Sequence, residues 1–169
     1  MANAKQAGCL SMTVPARREM VVPLRRSVGA LAAGWGASDD ALWRIDQALS
    51  EACTNVVLHA YRRRPGELQL TAEIRGDVLG VTVVDEGVGA GRRRAHGSGG
   101  LGLGLQLIEQ LADTLTLEAG PGVRGTVVRM RFGLRVAAGV SAVDHGHTAR
   151  RHDARPAPRP AAAGTARRA

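Results

Sequence analysis

The sequence predicts a two-layer α/β sandwich of the α+β kind, with helices on one face of a mixed, mainly antiparallel sheet. Three observations predict it. Two segments of helical apolar spacing come first, two strand pairs with tight glycine turns follow, and one further helix separates those pairs. At 169 residues the chain suits one domain with short extensions.

Residues 1–10 are expected to form a flexible N-terminus, and the folded unit is placed at 11–134. Its first helix is expected from Leu24 to Trp35, ending before Gly36. The second is expected to begin at Asp39 or Asp40, both good N-caps, and to continue to Tyr61. Leu42, Ile45, Leu49, Cys53, Val56 and Ala60 recur there at three- and four-residue spacing, so that helix packs one face on a flat partner. Leu68, Leu70, Ala72 and Ile74 alternate with polar residues, and Leu79, Val81 and Val83 alternate again after the Gly76-Asp77 turn, which predicts a hairpin. A glycine-rich loop over 85–102 leads to a helix at Leu103–Asp113. Strands at Leu115–Ala119 and Thr126–Phe132, joined around Gly120-Pro121-Gly122, complete the unit.

From Arg135 the chain is rich in Arg, Ala and Pro and poor in large apolar residues, so a disordered tail is expected over 135–169. Asp144, His145, His147 and His152 fall in that tail and read as solvated groups rather than a metal site. The same tail explains the charge. The chain carries +8, but 135–169 hold seven Arg against Asp144 and Asp153, leaving only +3 on the remaining 134 residues. Lys5 is the sole lysine and aromatics make up 2%, so stacking platforms for bases are lacking and direct nucleic-acid binding is not expected. A composition of 44% hydrophobic and 22% charged residues excludes a wholly disordered or collagen-like chain. No apolar run approaches the roughly 20 residues of a membrane span. Cys9 and Cys53 form neither a disulfide framework nor a metal-ligand spacing, and a reducing cytoplasmic setting is expected.

Three features can carry chemistry. Glu51, Asn55 and His59 follow one another at four-residue spacing on the second helix and form a polar stripe beside its apolar face. A carboxylate one turn from an amide can take a proton from a hydroxyl and offer an oxygen to Mg²⁺, although the same stripe also suits a solvated helix face. In Asp85-Glu86-Gly87-Val88-Gly89 an apolar strand delivers an acid into a glycine turn. There a carboxylate can accept hydrogen bonds from an exocyclic amine while glycines let a flat ring or phosphate approach, and the motif is also ordinary hairpin punctuation. Third, the run from Gly97 to Gly104 leads straight into a helix, a place where free amides and the helix dipole favour an anion. Residues 97–102 satisfy GxGxxG, but no strand directly precedes them, which argues against a dinucleotide fingerprint, and no P-loop motif occurs.

In this order, the segments around Glu51-Ala52-Cys53-Thr54-Asn55, Asp85-Glu86-Gly87-Val88-Gly89, Gly100-Leu101-Gly102-Leu103-Gly104 and Gly125-Thr126 resemble the Bergerat-type ATP-binding fold of gyrase, heat-shock chaperone, histidine kinase and mismatch-repair ATPases. Within it the chain is similar to anti-sigma-factor serine kinases of the RsbW type, over about residues 13–134. The resemblance implies ATP and Mg²⁺ as cofactors, Glu51 as general base and Asn55 as Mg²⁺ ligand. It implies that Asp85 binds the adenine amine, that Gly87 and Gly89 shape that pocket, and that Thr126 supports Asp85. Gly100, Gly102 and Gly104 would belong to the lid over the phosphates. The implied partners are a sigma factor and an anti-anti-sigma (STAS-type) protein, with a homodimer expected and no membrane association. The pattern departs in one place. Kinases of this type often carry an Arg just before the last Gly-x-Gly, whereas Gly100-Leu101 stands here, and Arg92, Arg93 and Arg94 lie earlier in the loop. His59 is read as structural.

Overall fold

A computed structural model of the chain describes residues 8–62, 64–89, 101–120 and 124–135. The contact pattern divides the chain into Met1–Ala138 and Gly139–Ala169, and every described residue belongs to the first unit. The expected tail beyond Arg135, Gly100 and Arg92 to Arg94 lie outside the described residues.

The chain opens with a strand the sequence reading missed, β1 (Gly8–Pro15), which pairs along its whole length with β2 (Glu67–Arg75), from Gly8↔Ile74 to Pro15↔Glu67. It starts inside the stretch expected to be flexible. Leu10, Met12 and Val14 alternate with Ser11 and Thr13, but only Val14 is fully buried, so the apolar signal of this edge strand is weak.

Helix α1 (Arg18–Gly34) begins six residues before the expected Leu24 and carries Pro23 in its second turn. Proline lacks the N–H that an interior helical position donates and normally marks a start, which is why the earlier turn was hidden. Leu24, Val28 and Ala32, four residues apart, are buried. Ser38, rather than Asp39 or Asp40, caps α2 (Asp39–Asn55): its hydroxyl accepts from Ala41 N at 3.2 Å, and the two aspartates fill the first turn at the positive end of the helix dipole. Helix α2 ends its regular course at Asn55 and continues as a π-helical turn, Val56–Ala60, before Tyr61.

Strands β2 and β3 (Val78–Asp85) form the expected hairpin. Helix α3 (Leu101–Leu111) starts two residues earlier than expected and leads to β4 (Thr114–Ala119), which pairs with β5 (Thr126–Gly133). The sheet order is β1-β2-β3-β5-β4 and every pairing is antiparallel, so the expectation of a mixed sheet is corrected. The physical reason is that β4 runs parallel to β3, as a crossover through α3 dictates, but β5 inserts between them and separates the two parallel strands.

The sheet lays Leu68, Leu70, Ala72 and Ile74 of β2, Leu79, Val81 and Val83 of β3, and Val128, Met130 and Phe132 of β5 against Ile45, Leu49 and Cys53 of α2 and Ile108 of α3. Each large aliphatic group buried there contributes about 2 kcal/mol. Arg44 closes one end of this layer, donating to Asp40 and Asp113, to the Leu111 carbonyl that ends α3 and to the Gly133 carbonyl that ends β5.

Candidate active site

Glu51 and Asn55 lie one turn apart near the C-terminal end of α2, both half-buried. Cys53, between them in sequence, points the other way into the core, and burial pushes its thiol up to about 12, so it stays a neutral, shielded thiol near neutral pH. The π turn follows directly. Such turns widen the helix locally and often sit at functional sites. His59 lies within this turn, not on a continued α-helical stripe, so the three-residue stripe expected from spacing is reduced to Glu51 and Asn55.

Helix α3 brings the glycine-rich motif onto that pair. Gly102 and Gly104 lie in its first turn. A Cβ built on Gly104 would stand 2.9 Å from Glu51 Oε2 and 3.3 Å from Asn55 Nδ2. Glycine is therefore required for the opening turn of α3, with its unpaired amides and positive dipole end, to reach the acid and the amide. The arrangement joins three polar functions within a few ångströms: a proton acceptor, a carbonyl oxygen for a cation, and backbone donors for an anion.

The second half of the site forms where β3 ends. Asp85 pairs across the sheet with Thr126, and the two are buried at 2% and 3% exposure. Asp85 Oδ1 accepts from Gly87 N at 2.8 Å, which folds the chain sharply after the strand. Gly87 passes so close to Ala60 that a Cβ would overlap that residue's carbonyl. Gly89 has φ +79°, and a Cβ on it would stand 3.1 Å from Gly125 O. The turn is tied down by Val88 N donating to Ala60 O and Gly125 N donating to Gly87 O, both at 2.9 Å.

Thus Asp85, Gly87, Gly89 and Thr126 gather where β3 meets the end of the π turn, while Glu51 and Asn55 meet Gly104 in the first turn of α3. Sequence reasoning gave no role to three further participants. Gly125, φ +75°, passes so near the Asp85 carbonyl that no side chain fits, and only its glycine identity hinted at this. Ala60 and Tyr61 hold the turn after β3 through a carbonyl and a hydroxyl, contacts no spacing rule reveals.

ATP and Mg²⁺ can be tested against this geometry. Among the described residues Thr126 Oγ1 is buried with no hydrogen-bond partner, an arrangement that costs about 1–3 kcal/mol unless a bound group or water supplies one. It stands across the strand pair from a buried carboxylate, in a wall kept open by glycines. The donor set fits an amine-bearing ring at Asp85 and Thr126, and a phosphate with its cation at Asn55 and the start of α3.

Comparison with known proteins places the chain in a family. A family model described as a histidine kinase-like ATPase domain matches residues 14–132. The serine-protein kinase RsbW of Bacillus cereus (strain Q1) is 30% identical over 136 residues, covering 73% of this chain and 84% of that protein. RsbW of Bacillus thuringiensis subsp. konkukian (strain 97-27) is 31% identical over the same extent. A crystal structure of the RsbU and RsbW domains of a Mycobacterium tuberculosis protein shares the fold, with a TM-score of 0.60 at 24% identity over 79% of this chain and 35% of that longer one. With its motifs gathered around one helix end, its fold matched and its relatives alike over most of their length, the chain belongs to the histidine kinase-like ATPase domain family and resembles the RsbW kinases within it.

Proposed function

We propose that this protein is an ATP- and Mg²⁺-dependent serine/threonine-protein kinase of the anti-sigma type. It phosphorylates a serine of an anti-anti-sigma (STAS-type) partner and, when not engaged with that partner, sequesters a sigma factor. The observation that carries the reading is the approach of Gly104 to Glu51 and Asn55, which sets the start of a helix against an acid and an amide.

Asp85 accepts a hydrogen bond from the exocyclic amine of adenine, and Thr126 gains through the bound ring or a water the partner its hydroxyl lacks. Asn55 offers its side-chain oxygen to the cation, and the first-turn amides of α3 donate to phosphate oxygens. When bound, Mg²⁺ neutralises charge on the phosphate oxygens. Glu51 accepts the proton of the partner's serine hydroxyl as that oxygen bonds to the terminal phosphorus and the bond to the ADP oxygen breaks. Orientation and charge supply the catalysis, which suits a site of one acid, one amide and backbone donors.

The relatives' names support serine-protein kinase activity. No described helix is long and apolar enough to cross a membrane, and a cytoplasmic, homodimeric protein fits the reading. The domain plan we favour is an ATP-binding unit over 11–134, extended by the β1 residues from Gly8 and followed by the Arg-rich segment 135–169. A second reading, an ATP-gated protein-binding module with weak or no transfer, is favoured by one feature: Gly100-Leu101 stands where such kinases often place an Arg.

Incubation with γ-labelled ATP and the cognate antagonist tests the proposal. Phosphoserine on the antagonist, lost in Glu51→Ala while ATP binding persists, is the expected result. ATP binding without any phosphoserine removes the kinase reading in favour of the gated module.

A further inference from the structure

The turn that follows Asp85 is tied to more than its own sheet. Its amides reach the end of the helix that carries Asn55: Val88 N donates to Ala60 O, and Glu86 N donates to the hydroxyl of Tyr61 at 3.0 Å. That hydroxyl in turn donates to Glu67 O, at the start of β2, at 2.5 Å. Tyr61 Oη therefore acts as acceptor and donor at once and links three segments: the end of the π turn, the first residue of β2 and the residue directly after Asp85. The ring itself is fixed by packing against Gly66, where any side chain would overlap it. Arg62 departs from Tyr61 with φ 47°, a left-handed conformation unusual for a residue with a side chain, so the chain turns sharply to leave the ring in place.

We propose that Tyr61 is a positioning residue for base recognition: its hydroxyl holds the 86–89 turn against the helix end, so that Asp85 meets the amine of the nucleotide while Asn55 meets its phosphate-bound cation. This rests on the nucleotide-binding reading above and goes beyond it, because it assigns the alignment of the two half-sites to one phenolic hydroxyl to which the resemblance gives no role. The chemistry requires a group that both accepts and donates on a rigid arm. Phenylalanine retains the arm and the packing on Gly66 but neither bond.

The test compares wild-type protein with Tyr61→Phe. Calorimetric titration is carried out with ATP and with inosine triphosphate, which presents an oxygen in place of the amine. The ATP affinity of the variant is expected to fall roughly tenfold and that for inosine triphosphate by less than about threefold, so that discrimination between them narrows. A general loosening of the fold would weaken both nucleotides alike, and equal losses, or none, overturn the proposal. Amide hydrogen exchange of the nucleotide-free proteins gives a second readout. The Glu86 amide is expected to exchange faster in Tyr61→Phe while the β3 amides keep their protection, and unchanged exchange at Glu86 overturns the proposal whether or not nucleotide binds. Failure of the underlying reading shows separately, as wild-type protein that does not bind ATP.

Discussion

Gly104→Ala separates the demands of the fold from those of the site. Alanine is favoured over glycine inside a helix by about 1 kcal/mol, so α3 alone should gain from the change. Against this, the new methyl would stand 2.9 Å from Glu51 Oε2 and 3.3 Å from Asn55 Nδ2. The carboxylate is the far end of a flexible side chain and can swing away, at about 0.5–1.5 kcal/mol for an off-rotamer torsion. The amide must give by a few tenths of an ångström. These contributions nearly cancel, and thermal unfolding of the ligand-free variant should fall within about 5 °C of wild type. Function does not share in the cancellation, because the groups displaced are the proposed base and cation ligand, and the methyl occupies the space between them and the helix start. Mg-ATP affinity should fall by about tenfold or more and phosphotransfer further, since a misplacement of about 1 Å can cost a hundredfold in rate. Scanning calorimetry and titration with Mg-ATP on the same preparation measure both sides. A folded variant with wild-type affinity and transfer would refute the placement of the phosphate site between Gly104, Glu51 and Asn55.

Other substitutions have distinct signatures. Thr126→Val removes a buried hydroxyl with no partner, so the ligand-free protein should gain about 1 kcal/mol in denaturant unfolding while ATP affinity falls; a loss of both would show that the hydroxyl is already satisfied. Arg44→Ala breaks bonds to Asp40, Asp113 and the Leu111 and Gly133 carbonyls and should cost about 2–3 kcal/mol with Mg-ATP affinity at 25 °C unchanged, read by urea unfolding and titration. Burial raises the Cys53 thiol from 9.0 to about 12, with Arg25 opposing, so the unfolded chain loses that proton first. Stability should therefore decline as pH rises above 9, by up to about 1.4 kcal/mol per unit from this group, and Cys53→Ala should flatten that decline in pH-dependent unfolding.

What the sequence disclosed and what it withheld follow physical lines. The β2–β3 hairpin and the apolar face of α2 were legible because burial on one side imposes a period that survives in the residue pattern. The start of α1 was not, because Pro23 imitates a beginning, and β1 was faint because an edge strand packs its apolar side only in part. Glu51, Asn55, Asp85, Gly87, Gly89, Gly104 and Thr126 are singled out by motif alone, whereas their grouping into two clusters depends on tertiary contacts between α2, α3 and the β3 turn. Tyr61 closes the first resembling segment, but its part could not be read there, since its two bonds go to backbone atoms six and 25 residues away. Backbone partners leave no mark on residue identity.

The site is also where this chain departs furthest from what its fold alone would select. Glycines open α3 where alanine is the better helix former, and among the described residues Thr126 keeps a buried hydroxyl without a partner. Each lowers the stability of the ligand-free protein, and each is relieved or turned to use by a ligand with a donor edge and an anionic tail. The two clusters also share one support, the helix segment from Asn55 to Tyr61, so on the proposed reading a nucleotide spanning them would bind across a single element rather than between independent lobes. It follows that ligand stabilisation should require both ends. A compound that fills only the Asp85 side, such as adenosine, can raise the melting temperature only as far as its own weak affinity allows. At a concentration a hundred times its dissociation constant, Mg-ATP should add about 2.7 kcal/mol. If adenosine and Mg-ATP stabilise equally at matched concentrations, the Glu51–Asn55–Gly104 cluster takes no part in binding and the phosphate end must be sought elsewhere.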